Sequence, residues 1–158
     1  SDTYANPLER YWDDDCLEIF IDADASGGDH LNNYNAFAYH LALDNQVIDI
    51  GPNEAGEAVP QLYNDHVENK WQRDISAPHK IHWEAAVRVF DDSYQHGKDN
   101  SPVTLKEGMT LGFMLAYCDA DGGDREHFLG SHEITPVNGD KNLGYKDASV
   151  FGKVKLTK

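Results

Sequence analysis

The sequence predicts an all-β fold, a two-sheet antiparallel β-sandwich of jelly-roll type. Three observations predict it. The apolar stretches are short and rich in β-branched and aromatic residues, clusters of Gly, Asn and Asp separate them, and no segment sustains a 3.6-residue apolar period. Many short strands punctuated by turn residues is the pattern of a sandwich.

In chain order, strands are expected over residues 16–22, 36–43, 46–50, 80–89, 110–118, 127–134 and 151–156. In 16–22 strict alternation places Leu17, Ile19 and Ile21 on one face, and Cys16, Glu18, Phe20 and Asp22 on the other. The first face belongs in a core. Asp44-Asn45 predicts a tight hairpin turn between the second and third strands, and Ser26-Gly27-Gly28 and Gly122-Gly123 supply positive φ angles in loops. In the fourth strand the same period separates a dry face of Ile81, Trp83, Ala85, Val87 and Val89 from His82, Glu84, Ala86 and Arg88. Only brief helices, at 6–13 and 59–69, are expected. No linker or internal repeat divides the chain, so residues 1–158 read as one domain.

The 158 residues carry 28 Asp and Glu against 13 Lys and Arg, a formal net charge of −15. Such a field repels polyanions, which excludes nucleic acid and anionic membrane surfaces as partners. No apolar run approaches the ~20 residues that cross a bilayer, so membrane insertion is not expected either.

Several acids are clustered, and crowded carboxylates attract a cation. The first acidic loop, Asp22-Ala-Asp24-Ala-Ser26-Gly27-Gly28-Asp29, follows a predicted strand and alternates oxygen-bearing side chains before its glycines. That pattern suits calcium, a hard ion held by oxygens. Asp22, Asp24, Ser26 and Asp29 are its candidate ligands. A second loop repeats the logic with Asp119, Asp121 and Asp124. The competing reading of each is a solvated turn in which Asp side chains accept local backbone N–H groups.

Cys16 and Cys118 lie far apart and form no CxxC or zinc-ligand spacing, so a disulfide and two buried thiols both stay open. The eight histidines include no HExxH pair. There is no Gly-x-Ser-x-Gly elbow, and both cysteines fall inside strands. A glycosidase carboxylate pair is the remaining catalytic reading, and it rests only on the abundance of acids. A binding domain, not an enzyme, is the expectation.

Aromatic residues in polar settings are more informative, because a sugar presents C–H faces that stack on rings and hydroxyls that need polar partners. Trp12 sits in a polar stretch just before the strand carrying Glu18. Tyr145 sits in a Gly- and Asn-rich loop just before the last strand.

Three segments resemble family 9 carbohydrate-binding modules and the related extracellular sandwiches of the DOMON-like group. They are Trp12-Asp-Asp-Asp15-Cys-Leu-Glu18-Ile-Phe-Ile-Asp22, Leu111-Gly112-Phe113-Met-Leu-Ala-Tyr-Cys118-Asp119, and Asn142-Leu-Gly-Tyr145-Lys-Asp147-Ala-Ser-Val-Phe151-Gly152-Lys-Val. With Trp83-Glu84-Ala85-Ala86 between them, they follow the family order over nearly the whole chain.

The resemblance implies non-catalytic binding of a mono- or oligosaccharide between two aromatic walls, Trp12 and Tyr145, with structural calcium. Glu18 and Asn142 match hydroxyl-binding positions, and His40 adds a hydrogen-bonding group. Ala38 and His40 stand where an Arg and an Asn are typical, and Met114, Ala116 and Cys118 replace polar residues. Cys16 and Cys118 would share that face, which makes a disulfide between them compatible with the resemblance. The resemblance also implies a secreted or periplasmic setting, and further N-terminal strands that this chain lacks, supplied by a second chain or copy. A relative that holds haem between its sheets, with Met109, Met114 or histidines as ligands, is the alternative cofactor reading. A purely adhesive calcium-bound module is another.

Overall fold

A computed structural model describes residues 3–158, and its regular structure is almost entirely antiparallel β. Among the described residues nine strands form: β1 (Cys16–Asp22), β2 (Phe37–Ala42), β3 (Val47–Pro52), β4 (Ala58–Leu62), β5 (Val67–Arg73), β6 (Ile81–Val87), β7 (Thr110–Asp119), β8 (His127–Gly130) and β9 (Gly152–Lys155). The large sheet has the order β4-β3-β2-β1-β7-β8. The long β7 also pairs with β9, through its first residues, Thr110 to Phe113, while its last, Ala116 to Asp119, pair with β8. A two-stranded sheet, β5–β6, is the second layer.

The alternation read in the sequence sets both faces of the large sheet. Ile19 and Ile21 of β1, Phe37, Tyr39 and Leu41 of β2, Val47 of β3 and Leu111 of β7 form the buried core, joined by Val67 of β5 and flanked by Trp83 and Val87 of β6. On the opposite face Phe20, Ala38, Met114 and Ala116 form a second buried cluster. It is covered by the segment leading into β9 through Ile134, Leu143, Ala148 and Phe151. Both faces of β1 are therefore dry, although alternation alone marks only one.

The Asp44-Asn45 turn forms as expected, with Asn45 at φ 68° and the Ala42 and Gln46 main chains bonded across it. The helix expected at 59–69 does not form; that stretch is β4, a turn and the start of β5. Pro60 is tolerated inside a strand because β4 pairs only with β3, leaving its other edge without a ladder to break. The helix expected at 6–13 shrinks to a 3-10 turn, Tyr11–Asp13.

The dry face expected on β6 is only partly covered. Val89 is buried, Ile81, Trp83 and Val87 are half-buried, and Ala85 is exposed. The reason is the width of the second layer: two strands cannot cover the area of a seven-stranded sheet, and β5 and β6 each pair on one side only among the described residues.

Candidate functional site

One cavity, of about 270 Å³, opens on the face of the large sheet opposite the core. It is lined by Tyr11, Trp12, Glu18, His40, Ile50, Arg125, Asn142 and Tyr145. All five residues singled out for sugar contact, Trp12, Glu18, His40, Asn142 and Tyr145, meet there, from four separate stretches of chain. Trp12 sits on the 3-10 turn and is 40% exposed, an indole left largely uncovered by the fold. Tyr11 beside it meets both Trp12 and His40 edge-on, with ring centroids 5.1 and 4.7 Å away.

Three consecutive aspartates hold this wall in place. Asp13 accepts from the Arg10 side chain and from the Arg125 backbone N–H at 3.0 Å, and Asp14 accepts from Thr3 N–H at 2.6 Å and Tyr4 N–H at 3.2 Å. Asp15 accepts from the Ala120 N–H at 2.8 Å. Backbone donors and arginine thus offset the crowding of this triplet.

On the opposite wall, Gly144 lies between Asn142 and Tyr145 where a Cβ would stand 2.8 Å from Phe20 and 3.1 Å from Met114. Only glycine lets this loop lie so close to the sheet. The His30 ring bonds the Gly144 carbonyl at 2.8 Å and fixes it.

The floor is a buried charged network. Glu18 and His40 are cross-strand partners on β1 and β2, 2% and 5% exposed, with His40 Nε2 3.1 Å from Glu18 Oε1. The other ring nitrogen, Nδ1, lies 3.1 Å from the Ala38 carbonyl oxygen. Both nitrogens face acceptors, so both must donate, and the ring is an imidazolium. Burial pushes the His40 pKa down, but the Glu18 carboxylate outweighs it and raises it to about 9. Burial likewise pushes Glu18 up, and His40, the Cys118 thiol and Arg125 together bring it below the usual carboxylate range. Cys118 Sγ donates to Glu18 Oε1 at 2.8 Å, and Arg125 Nη1 stands 3.8 Å from that oxygen. Nearby, burial raises Asp49 to about 7 even though it accepts from the Ala38 and Ile50 N–H groups.

Arg125, Tyr11 and Ile50 were not read from the sequence as site residues. Arg125 offered a signal: it is the lone cation of the acidic stretch 119–126, and the antiparallel pairing of β7 with β8 returns it to the cavity. Its guanidinium also rests over the Phe128 ring, 5.0 Å from the centroid.

The two acidic loops differ. Asp22 accepts from the N–H groups of Asp24 at 3.2 Å and Gly27 at 2.8 Å, and Asp24 accepts from Ser26 N–H at 2.9 Å. The side chains of Asp22, Asp24 and Ser26 gather, and hydrogen bonding from Ser26 holds the Asp24 carboxyl below its usual range. This all-oxygen donor set fits a hard cation. Asp29 accepts from the Asn32 and Asn33 side chains, and among the described residues Asp22, Asp24 and Asp29 form no group of three converging carboxylates. In the second loop Asp124 pairs with Arg10, and Asp119, Asp121 and Asp124 form no group of converging ligand atoms among the described residues. Met109 packs against the inter-sheet core and Met114 on the opposite face of the sheet, so they cannot ligate one haem together. Among the described residues Glu18 is the one carboxylate lining the cavity, whereas glycosidase chemistry uses a pair.

Over residues 1–158 the chain matches the family described as carbohydrate family 9 binding domain-like, and it belongs to that family. The family is one of non-catalytic carbohydrate-binding modules, so the chain is a binding domain and not an enzyme. Among solved structures it is similar to a family 9 carbohydrate-binding module from Caldicellulosiruptor kristjanssonii in complex with glucose, at 15% identity and a TM-score of 0.60. It is similar also to that organism's module in complex with cellotriose, at 15% identity and a TM-score of 0.61. Both likenesses cover 99% of this chain but only 64% and 63% of those chains. They bear out the predicted sandwich. No curated protein sequence matches the chain.

Proposed function

We propose that the chain binds the pyranose ring of a mono- or oligosaccharide in the cavity between Trp12 and Tyr145. One observation carries the reading: residues chosen from the sequence for stacking and for hydroxyl recognition, and separated by up to 133 positions (145 − 12) along the chain, line a single opening. The rings would cover the sugar's C–H faces. Glu18 accepts hydroxyl protons, Asn142 accepts and donates, and His40 and Arg125 hold the Glu18 carboxylate charged. Arg125 also supplies the guanidinium missing from the second strand, where Ala38 stands. That glucose and cellotriose occupy the structural neighbours favours a β-glucan or its chain end as the ligand class.

Isothermal titration against glucose, cellotriose and other short oligosaccharides tests this. Trp12→Ala is expected to weaken binding about tenfold, the loss of one ring face worth roughly 1.5 kcal/mol. Equal affinity in wild type and variant would move the site elsewhere.

Calcium at Asp22, Asp24 and Ser26 is the second part of the proposal, with the ion fixing the loop that docks on residues 144–149. Its role is structural. Chelation should lower the Tm and added calcium restore it, by about 1.4 kcal/mol for each tenfold excess over Kd. A melting curve indifferent to both would reject it. A secreted or periplasmic setting, where polysaccharide is met, belongs to the same reading. So does a second chain or copy pairing with the open edges of β5 and β6; a monomer at all concentrations in sedimentation would count against a second copy.

A further inference from the structure

At the base of the cavity two thiols that sugar binding does not use meet the Glu18 carboxylate. Cys16 and Cys118 face each other as cross-strand partners on β1 and β7, and Glu18 lies two residues along β1 on the same face. The two sulfurs and a Glu18 oxygen all lie within 4.8 Å of one another, in residues only 1%, 0% and 2% exposed. Both cysteines are free thiols. Among the described residues this is the only group of three such ligands that converges.

We propose that Cys16, Cys118 and Glu18 form a site for a thiophilic divalent cation, of which Zn²⁺ is the type, at the base of the cavity. Sulfur donors select zinc and similar soft ions over calcium or magnesium, so this site is chemically distinct from the oxygen-lined loop at the far end of β1. Zinc bonds to sulfur at about 2.3 Å and to oxygen at about 2.0–2.2 Å, which places tetrahedral ligands roughly 3.5 Å apart. Cys118 Sγ and Glu18 Oε1 are 2.8 Å apart, so the ligands need only separate slightly. Three protein ligands leave a fourth position, which would face the cavity side, where His40 stands 3.1 Å from the Glu18 oxygen.

The charges agree. On binding, both thiol protons leave for solvent by way of the cavity, giving two thiolates beside the Glu18 carboxylate. A dication, the Arg125 guanidinium 3.5 Å from Cys118 Sγ and the His40 imidazolium 3.1 Å from the Glu18 oxygen together more than offset those three negative charges. Glu18, His40 and Arg125 line the opening and supply the path of entry. The competing fate of the two sulfurs is a disulfide, since directly opposed residues on antiparallel strands lie within bonding reach.

This site does not depend on the carbohydrate reading, and its test reads the metal directly. Protein isolated without reductant or chelator is compared by native and denaturing mass spectrometry. The expected result is a metal adduct on a chain whose cysteines are reduced; the mass of a disulfide overturns the proposal. The metal-free chain is then titrated with Co²⁺. A thiolate-to-metal charge-transfer band with the visible spectrum of tetrahedral cobalt is expected, saturating at one ion per chain and displaced by Zn²⁺ but not by Ca²⁺. Cys118→Ser should weaken Zn²⁺ binding by more than the roughly 10–100-fold that loss of a supporting partner costs. Absence of the wild-type band, or its persistence unchanged in Cys16→Ser and Cys118→Ser, refutes the site. The wild-type spectrum decides even if a variant fails to fold.

Discussion

His40→Leu is expected to destabilise the fold by about 3–5 kcal/mol, and adding Glu18→Leu to recover most of that loss without recovering sugar binding. The single change leaves the Glu18 carboxylate buried without the imidazolium that lies 3.1 Å from it. The Cys118 thiol and Arg125 remain near it, but one is a weak donor and the other stands at 3.8 Å. Removing both charges replaces an ion pair by apolar side chains beside an already apolar cluster, a change that is often neutral. Urea unfolding of the wild type, both single variants and the double variant closes the cycle. A His40→Leu cost under 1 kcal/mol, or a double variant less stable than either single one, would mean that the pair is not the charged network described. Titration with sugar separates the roles, since the refolded double variant still lacks the acceptor at the floor.

The second large effect is loss of stability in mild acid through His66. This ring is 1% exposed and sits among Phe37, Tyr39, Tyr63, Phe90 and Tyr94. The ring's Nδ1 and the Tyr39 hydroxyl are hydrogen-bonded at 2.8 Å. Burial lowers its pKa from 6.5 to about 4; Asp65 opposes that shift, while Arg88 and His96 add to it.

A depressed histidine pKa means that the unfolded chain takes up a proton the folded chain refuses. The stability is therefore complete above pH 6.5 and is lost as the pH falls toward 4, by up to roughly 3 kcal/mol. His30, also lowered by burial, acts in the same direction, and Asp49, raised by burial, acts against it. The difference between wild type and His66→Gln, which keeps a hydrogen-bonding group for Tyr39, isolates the contribution. Parallel stability curves for the two between pH 7 and 4 would show that His66 does not titrate in this window.

The strands legible in the sequence were those whose neighbours fix their environment. β1, β2 and β7 occupy the middle of the large sheet, where apolar runs bounded by turn residues leave little choice. β4 and β5 were not legible, because they lie at an edge and in a half-covered layer. Pro60 and the polar run Glu68-Asn69-Lys70 give no strand signal when one face or one edge is free.

The lining of the candidate site was legible where a residue type alone suggests the chemistry: a Trp in a polar stretch, a Tyr in a glycine loop, a lone Glu on a dry strand. It was not legible where the partner arrives through pairing register. Nothing in the sequence distance between Cys16 and Cys118 places them opposite each other, nor between Asp13 and Arg125. The acidic triplet 13–15 shows the same limit: two of its three carboxylates accept from main-chain amides of a distant segment, at Arg125 and Ala120.

That segment, 118–125, has a double attachment. Its main chain anchors Asp13 and Asp15, which end and follow Trp12's turn, while its Arg125 side chain reaches toward the acid beneath the opening. Lengthening or shortening this one connection would shift an aromatic plate and a cationic arm in a single step. Libraries that vary only the length and sequence of the tip around Gly122-Gly123 should therefore retune which glycans are accepted while the remaining strands stay untouched.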